Sequence, residues 1–269
     1  MGDDARASGA PAFRFEGEAA RRVESMYLTR DVTAHRQSVL ERLEVTAGDR
    51  VLDVGCGPGL LAALAADRTG PEGFVCGVDV SSSMLMLARQ RCEARAWTAF
   101  HFGGAAALPH RSGTFTRLAC TQVLEYVARP DQALAEFRRV LRPGGRVVLM
   151  DTDWESCVWA SGDDTRMRRI VDAWDTHCPH PHLPRTLATR LAAAGFRVDG
   201  VEAFPMVTTS PMAGSYCAGM VAELARFAVR SGRVSEDDAA AWRRDLERRD
   251  QAGETFFSLN RFVYVATRQ

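Results

Sequence analysis

The run Val51-Leu52-Asp53-Val54-Gly55-Cys56-Gly57-Pro58-Gly59 is the part of this chain best suited to hold a ligand. A short β-branched run ends in three glycines spaced two apart, and a leucine- and alanine-rich stretch follows from Leu60 to Arg68. Glycines where a strand turns into a helix let backbone N–H groups come close to a bound molecule beside the helix N-terminus. Twenty residues after Gly59 stands Asp79, closing a second apolar run, Phe74 to Val78. A carboxylate at a strand tip accepts hydrogen bonds from ribose hydroxyls. A dinucleotide fingerprint needs GxGxxG, whereas this loop reads GxGxG with Pro58 between its last two glycines. The pattern therefore departs from the NAD version.

Other candidates cluster later in the chain. Gln122 follows a fourth apolar run, at the carboxyl edge where ligands bind in such sheets. Asp151-Thr152-Asp153-Trp154 leaves a fifth run at that same edge. There Asp153 could serve as a base or orient an amine, and Trp154 and Trp159 could wall an aromatic substrate. A solvated carboxylate and core tryptophans are the plain alternatives. His177, His180 and His182 lie within six residues, but Pro179 and Pro181 flank His180 and no partner Cys/His pair has zinc spacing. No metal is expected; a substrate-facing loop with one useful imidazole, His180, is the sharper reading. Arg185 is a comparable candidate for a substrate carboxylate or phenolate.

The elements that must position these residues follow from periodicity. Short buried strands at Arg50–Val54, Phe74–Asp79, Ala99–Phe102, Arg117–Thr121, Arg146–Asp151, Phe196–Phe204 and Ser258–Thr267 alternate with helices. Ser81 is placed to cap a helix running to about Cys92, and Gly195 to close the helix Leu187–Ala194. Alternation of this kind specifies a doubly wound, Rossmann-like α/β sheet of seven strands with right-handed crossovers. Residues from Glu18 to Leu43 have helical spacing with a break near Thr29–Thr33, while residues 1–17, rich in Gly, Ala and Pro, are expected to be mobile. Two stretches, about 152–184 and 211–253, read as insertions after strands, where lids and substrate pockets sit.

Composition removes several classes of function. The chain has 269 residues, enough for one large domain, and its 46% apolar and 25% charged residues suit a globular enzyme. Thirty-four basic residues balance thirty-four acidic ones, so nucleic acid is not an expected partner. Every one of those cations is arginine, which points to a GC-rich, bacterial coding sequence and removes lysine chemistry altogether. Seven scattered cysteines without a CxxC, an acidic N-terminus without an apolar core and no long aliphatic stretch lead to a cytoplasmic expectation, with no membrane partner. Oligomeric state is left open.

The glycine loop and Asp79, taken with further landmarks, resemble the class I S-adenosylmethionine-dependent methyltransferases, in particular the small-molecule group related to the ubiquinone/menaquinone-type enzymes. Those landmarks are Gly104-Ala105-Ala106-Ala107-Leu108-Pro109, Leu124-Glu125-Tyr126-Val127 and Arg139-Val140-Leu141-Arg142-Pro143-Gly144-Gly145. The resemblance is strong from about Tyr27 to Gly145. It implies a mostly parallel sheet with an antiparallel last strand, and S-adenosylmethionine as cofactor. In that family the loop Asp53, Gly55, Cys56, Gly57 and Gly59 wraps the methionyl part, Asp79 holds the ribose, and Val80 and Met84 flank the adenine. Tyr27 falls where an N-terminal aromatic closes over the methionyl end, and Gln122 is placed for the amino-acid moiety. The resemblance also implies an N-terminal helical lid, residues 1–45, over a cofactor domain at 46–269.

One departure stands out: the family's adenine-reading loop aspartate is Gly104 here, leaving backbone groups of Gly104 to Ala106 and apolar packing by Phe102, Val80 or Met84. The implied activity is methyl transfer to O or N of a small aromatic or polycyclic metabolite, as in bacterial secondary metabolism. Two alternatives accompany it: a fold that keeps the cofactor but acts as a cyclase or binding module, and an arsenite-type enzyme using Cys157, Cys178 and Cys217.

Overall fold

Strands β1 (Arg50–Val54), β2 (Phe74–Asp79), β3 (Thr98–Phe102), β4 (Phe115–Thr121) and β5 (Leu141–Trp159) lie parallel in one sheet. Their central positions are apolar on both faces, as strands covered by helices on each side require. β6 (Phe196–Thr209) and β7 (Phe256–Arg268) complete the order β3-β2-β1-β4-β5-β7-β6, with β7 antiparallel to both of its neighbours. The computed structural model describes residues 17–269; except for Gly17, the stretch expected to be mobile lies outside them.

Alternate residues of each strand feed two separate cores. Val51, Val75, Ala119 and Val148 meet α2 (Arg30–Leu43), α3 (Leu60–Thr69) and α4 (Ser82–Arg91) on one face. Leu52, Cys76, Leu118 and Leu149 meet α5 (Pro130–Val140) and α7 (Pro184–Ala193) on the other. The Ser81 side chain accepts from Met84 N–H at 3.2 Å and so caps α4, as its sequence position predicts. Strand order reverses between β1 and β4, so their connections diverge to opposite faces and leave a crevice at the carboxyl ends.

The structure corrects one boundary with consequences for the site. The fifth strand does not stop at Asp151; β5 continues to Trp159, paired with β7 across an irregularity between Asp153 and Val158. The reason is a third core. Trp154, Cys157 and Trp159 of β5, with Phe257 and Leu259 of β7, are buried against α6 (Asp164–Trp174), α8 (Tyr216–Arg230) and α9 (Glu236–Gln251). The overhanging sheet thus forms the floor of a helical cap. The region from 211 to 253 is helical as expected, and Trp242 and Leu246 of α9 face inward. The N-terminal pattern is two helices, α1 (Gly17–Tyr27) and α2; the latter buries Val39, Leu40 and Leu43.

Candidate functional site

The glycine loop is held in place by the neighbouring strand. Gly55 N–H and Cys56 N–H both donate to Val78 O, at 2.7 and 3.1 Å. Gly55, Gly57 and Gly59 all have positive φ, a region that costs other L-residues roughly 1–2 kcal/mol. Asp79 closes the arrangement from β2. Its Oδ2 accepts from Gly57 N–H and its Oδ1 from Ser81 N–H, both at 2.8 Å. Val80 N–H is a third backbone donor to this carboxylate. Asp53 is 3% exposed and its Oδ2 has no hydrogen-bond partner. Burial, reinforced by the Asp79 charge, pushes its pKa up to about 7.

These groups border one cavity of about 410 Å³ at the carboxyl ends of the strands, within the usual size range of small-molecule sites. Val80, Met84, Gly104, Ala105, Gln122 and Tyr27 all line it, and Tyr27 packs against the Val23–Met84 cluster. Gln122 adopts φ 57, unusual for a non-glycine residue; its Oε1 accepts from the Thr152 hydroxyl at 2.5 Å. Of the twelve residues expected to hold a cofactor, only Gly59 does not line the cavity. It instead starts α3, where an added Cβ would lie 2.9 Å from Ala88 Cα. Phe102, expected to pack on an adenine, is 66% exposed and does not line the cavity either. At Gly104 an added Cβ would meet only Val80 Cγ1, at 3.9 Å.

The structure does not bring Asp153, Trp154 and His180 to this cavity. Asp153 is gripped by Arg185, with Nε and Nη2 each donating at 3.0 Å, so neither is offered to a substrate. Trp154 is buried in the cap core and donates Nε1–H to Glu125 Oε2 at 3.1 Å. Trp159 is buried there too, its Nε1–H directed at Cys217 Sγ. The three imidazoles diverge: His177 stacks on Trp174, His180 Nε2 lies 3.5 Å from Ala128 O, and His182 sits between Asp153 and Asp175. Their spacing in sequence concealed that β5 runs on and carries this segment away from the crevice. Cys157, Cys178 and Cys217 also lie outside the cavity lining, and burial raises each thiol far above its ordinary range.

A methyltransferase domain model matches residues 52–149, the stretch that holds the loop, Asp79 and Gly104. The chain is 33% identical to the ubiquinone/menaquinone biosynthesis C-methyltransferase of Roseobacter denitrificans, over 71% of this chain and 79% of that one. The chain belongs to the class I S-adenosylmethionine-dependent methyltransferases. It is also 32% identical, over 87% of its own length, to a 37.1 kDa protein in a Streptomyces fradiae transposon, spanning 66% of it. It spans less of others: 47% of the Symbiobacterium thermophilum demethylmenaquinone methyltransferase, 36% identical over 44% of this chain. The YcgJ protein of Bacillus subtilis shares the fold, with a TM-score of 0.58 at 20% identity over 88% of this chain and 99% of that one.

For a methyltransferase of this family the cofactor is S-adenosylmethionine, and the residues fit it. An unpartnered Asp53 oxygen, the Asp79 carboxylate and a glycine loop face a single cavity. Sequence reasoning missed the ionisable residues His35 and Arg36 of α2 and Arg261 in the cavity wall, whereas Tyr126 lies in a landmark the sequence already showed. Arg36 donates to the carbonyl of Tyr27, fixing the turn between α1 and α2. Burial and the Arg261 charge lower the His35 pKa to about 4, so it is a neutral imidazole. The Tyr126 hydroxyl lies 3.2 Å from His177 Nε2; because His177 Nδ1 is 2.7 Å from Trp174 O, Nε2 is the acceptor. The helical spacing of His35 and Arg36 was the one signal available for them, and it reads equally as an ordinary helix face.

Behind Gln122 the methyltransferase fold buries two carboxyls, Glu125 and Asp151, each fully enclosed. Thr152 N–H and the Trp154 indole donate to Glu125 Oε2, while Glu125 Oε1 and Asp151 Oδ2 have no partner. Burial and mutual repulsion hold both carboxyls above their ordinary range. The folded chain therefore keeps a proton that the unfolded chain releases near the ordinary glutamate value of 4.5. Stability from this pair is full below that pH and falls as pH rises toward the higher folded value. Glu125→Gln retains the acceptor and removes the charge. We expect it to raise stability relative to wild type by at least about 1 kcal/mol at pH 8 and far less at pH 5, read from urea unfolding at the two pH values. An equal effect at both would show that the pair is already ionised.

Proposed function

We propose that this chain transfers a methyl group from S-adenosylmethionine to an electron-rich atom of a small aromatic or polycyclic molecule, O or N foremost. The observation that carries the reading is the Asp79 carboxylate, tied to the glycine loop through Gly57 N–H and lining the cavity beside the unpartnered Asp53 oxygen. The bound cofactor supplies an electrophilic methyl on a sulfonium, which an acceptor attacks in line from the side opposite sulfur.

The residues then divide the work of positioning and desolvation. Asp79 would hold the ribose hydroxyls, and Val80 and Met84 the adenine faces. The loop from Asp53 to Gly57, with Gln122 and Arg36, would hold the amino-acid end. The Tyr27 ring, at the cavity wall where α1 ends, would cover the methionyl part, with residues 1–45 acting as a lid over a domain at 46–269. Tyr27 stays protonated because burial raises its pKa, so it offers a ring face and a hydroxyl without a negative charge. Among the cavity-lining residues described, His35 is the sole imidazole, and with its pKa near 4 it is a weak base. The arrangement therefore suits an acceptor that arrives deprotonated or is nucleophilic without losing a proton. The Roseobacter relative is a C-methyltransferase, which puts the carbon of an electron-rich ring among the acceptor atoms to be assayed.

Incubation with methyl-labelled S-adenosylmethionine and a panel of phenols, amines and hydroxyaromatic acids tests the reading. Label in an acceptor is expected; cofactor binding without any labelled product would favour the cyclase or binding-module alternative. Gly104→Asp probes the adenine end. The open space there accepts a side chain, and one added hydrogen bond to the adenine amino group is worth about 0.5–1.5 kcal/mol. Calorimetry should show S-adenosylhomocysteine bound about 2- to 10-fold more tightly, and weaker binding would place the adenine elsewhere.

A further inference from the structure

A buried cation stands at the cap end of the cavity. Arg261 is 3% exposed, lies on β7 opposite Thr152 of β5 and Phe204 of β6, and lines the cavity. Its Nε has no hydrogen-bond partner, and among the described residues no carboxylate forms an ion pair with it. Its guanidinium carbon instead sits 4.9 Å from the centroid of the Tyr216 ring. Arg249 and Arg268 also leave Nε without a hydrogen bond, but Arg249 pairs with Asp245 at 3.6 Å and Glu254 at 3.5 Å, and Arg268 donates through Nη1 to the carbonyl of Leu141. A buried guanidinium without a counter-charge is costly, and structures keep one where a ligand completes it.

The groups that act on Arg261 electrostatically do not neutralise it. Glu125 makes no ion pair with Arg261; it directs Oε2 to Thr152 N–H and the Trp154 indole, and burial raises its pKa to about 7, so below neutral pH it is mostly uncharged. Tyr27 and Tyr216 are phenols held protonated by burial, and His35 is neutral. Position separates Arg261 from the cofactor end. β7 is three strand spacings from β1, about 14 Å, whereas Arg36 stands close enough to Asp53 to feel its charge. Tyr126 and Met150 also line the cavity, surfaces suited to a flat apolar ring.

We propose that Arg261 determines acceptor specificity: the site takes a small aromatic acceptor bearing an ionised oxygen, a carboxylate or phenolate, which seats on the buried guanidinium between Tyr27 and Tyr126. This rests on the methyl-transfer reading and names the acceptor class it requires. A guanidinium there also favours the deprotonated form of a nearby hydroxyl, which fits a cavity whose imidazole is a weak base.

The test uses protein loaded with S-adenosylhomocysteine and two probes of one shape, 4-bromobenzoate and the neutral 4-bromobenzamide. Calorimetry should show the benzoate bound at least about 10-fold more tightly than the amide. Arg261→Met should abolish that preference while leaving S-adenosylhomocysteine affinity unchanged, and Arg261→Lys should keep part of it. Crystals of the wild-type complex soaked with 4-bromobenzoate need no variant to fold; the bromine signal orients the ring, and the carboxylate should face Arg261. Equal affinity for the two probes, absence of benzoate binding, a carboxylate seated elsewhere, or loss of S-adenosylhomocysteine affinity in a folded Met variant would each overturn the assignment. Failure of wild-type protein to bind S-adenosylhomocysteine at all would instead overturn the methyl-transfer reading, and this assignment with it.

Discussion

Asp79→Ala is expected to weaken binding of S-adenosylhomocysteine by at least about 100-fold. Hydrogen bonds to an ionised group contribute about 1.5–3 kcal/mol each, and two ribose hydroxyls would lose theirs. The same carboxylate also receives Gly57 N–H and Ser81 N–H at 2.8 Å, so its loss frees the loop as well as the sugar. Asp79→Asn separates the two contributions. The amide keeps one acceptor oxygen but turns an NH₂ toward one of those backbone donors, so it cannot satisfy both. Calorimetry on both variants, with melting curves run beside it, distinguishes a loosened loop from a missing contact. Unchanged affinity in a folded alanine variant would remove the ribose assignment and, with it, the main support for the proposed function.

Gly55→Ala and Gly57→Ala should fail in different ways, although the two glycines are two residues apart and both have positive φ. At Gly55 a Cβ would fall 2.1 Å from Val123 Cγ2 and 3.1 Å from Cγ1. The backbone strain of about 1–2 kcal/mol then adds to overpacking of about 1–3 kcal/mol, a large share of the roughly 5–15 kcal/mol that holds a domain together. At Gly57 nothing lies within 4 Å of the added Cβ, so stability should drop by the strain alone. The methyl group there borders the cavity, where backbone and cofactor must come close, and S-adenosylhomocysteine affinity should fall about 10-fold or more. Urea unfolding and calorimetry on the pair decide the matter. Adding Val123→Ala to Gly55→Ala should return the overpacking part of the loss and leave the strain. If that double variant is no more stable than Gly55→Ala, the contact with Val123 is not what makes Gly55 necessary.

The cofactor half of the site was legible before any coordinates because its parts are local. Asp53 through Gly59 is a single turn whose φ values glycine alone adopts at low cost, and Asp79 and Ser81 are defined by where a strand ends and a helix begins. Short-range sterics and alternating apolar residues also determine that the sheet is parallel and covered on both faces. The part of the cavity proposed for the acceptor is assembled from residues far apart in the chain: His35, Tyr126 and Arg261 come from a helix, a 3₁₀ turn and the last strand. No spacing announces such a meeting. It depends on β5 and β7 continuing past the sheet edge, which in turn depends on Trp154, Trp159 and Phe257 finding Trp242 and Met220 to bury against. That same packing carries Asp153, Trp154 and the histidine run away from the crevice and leaves a buried arginine facing it. Local chemistry therefore determined the cofactor, and long-range burial of the cap decided which side chains face the acceptor.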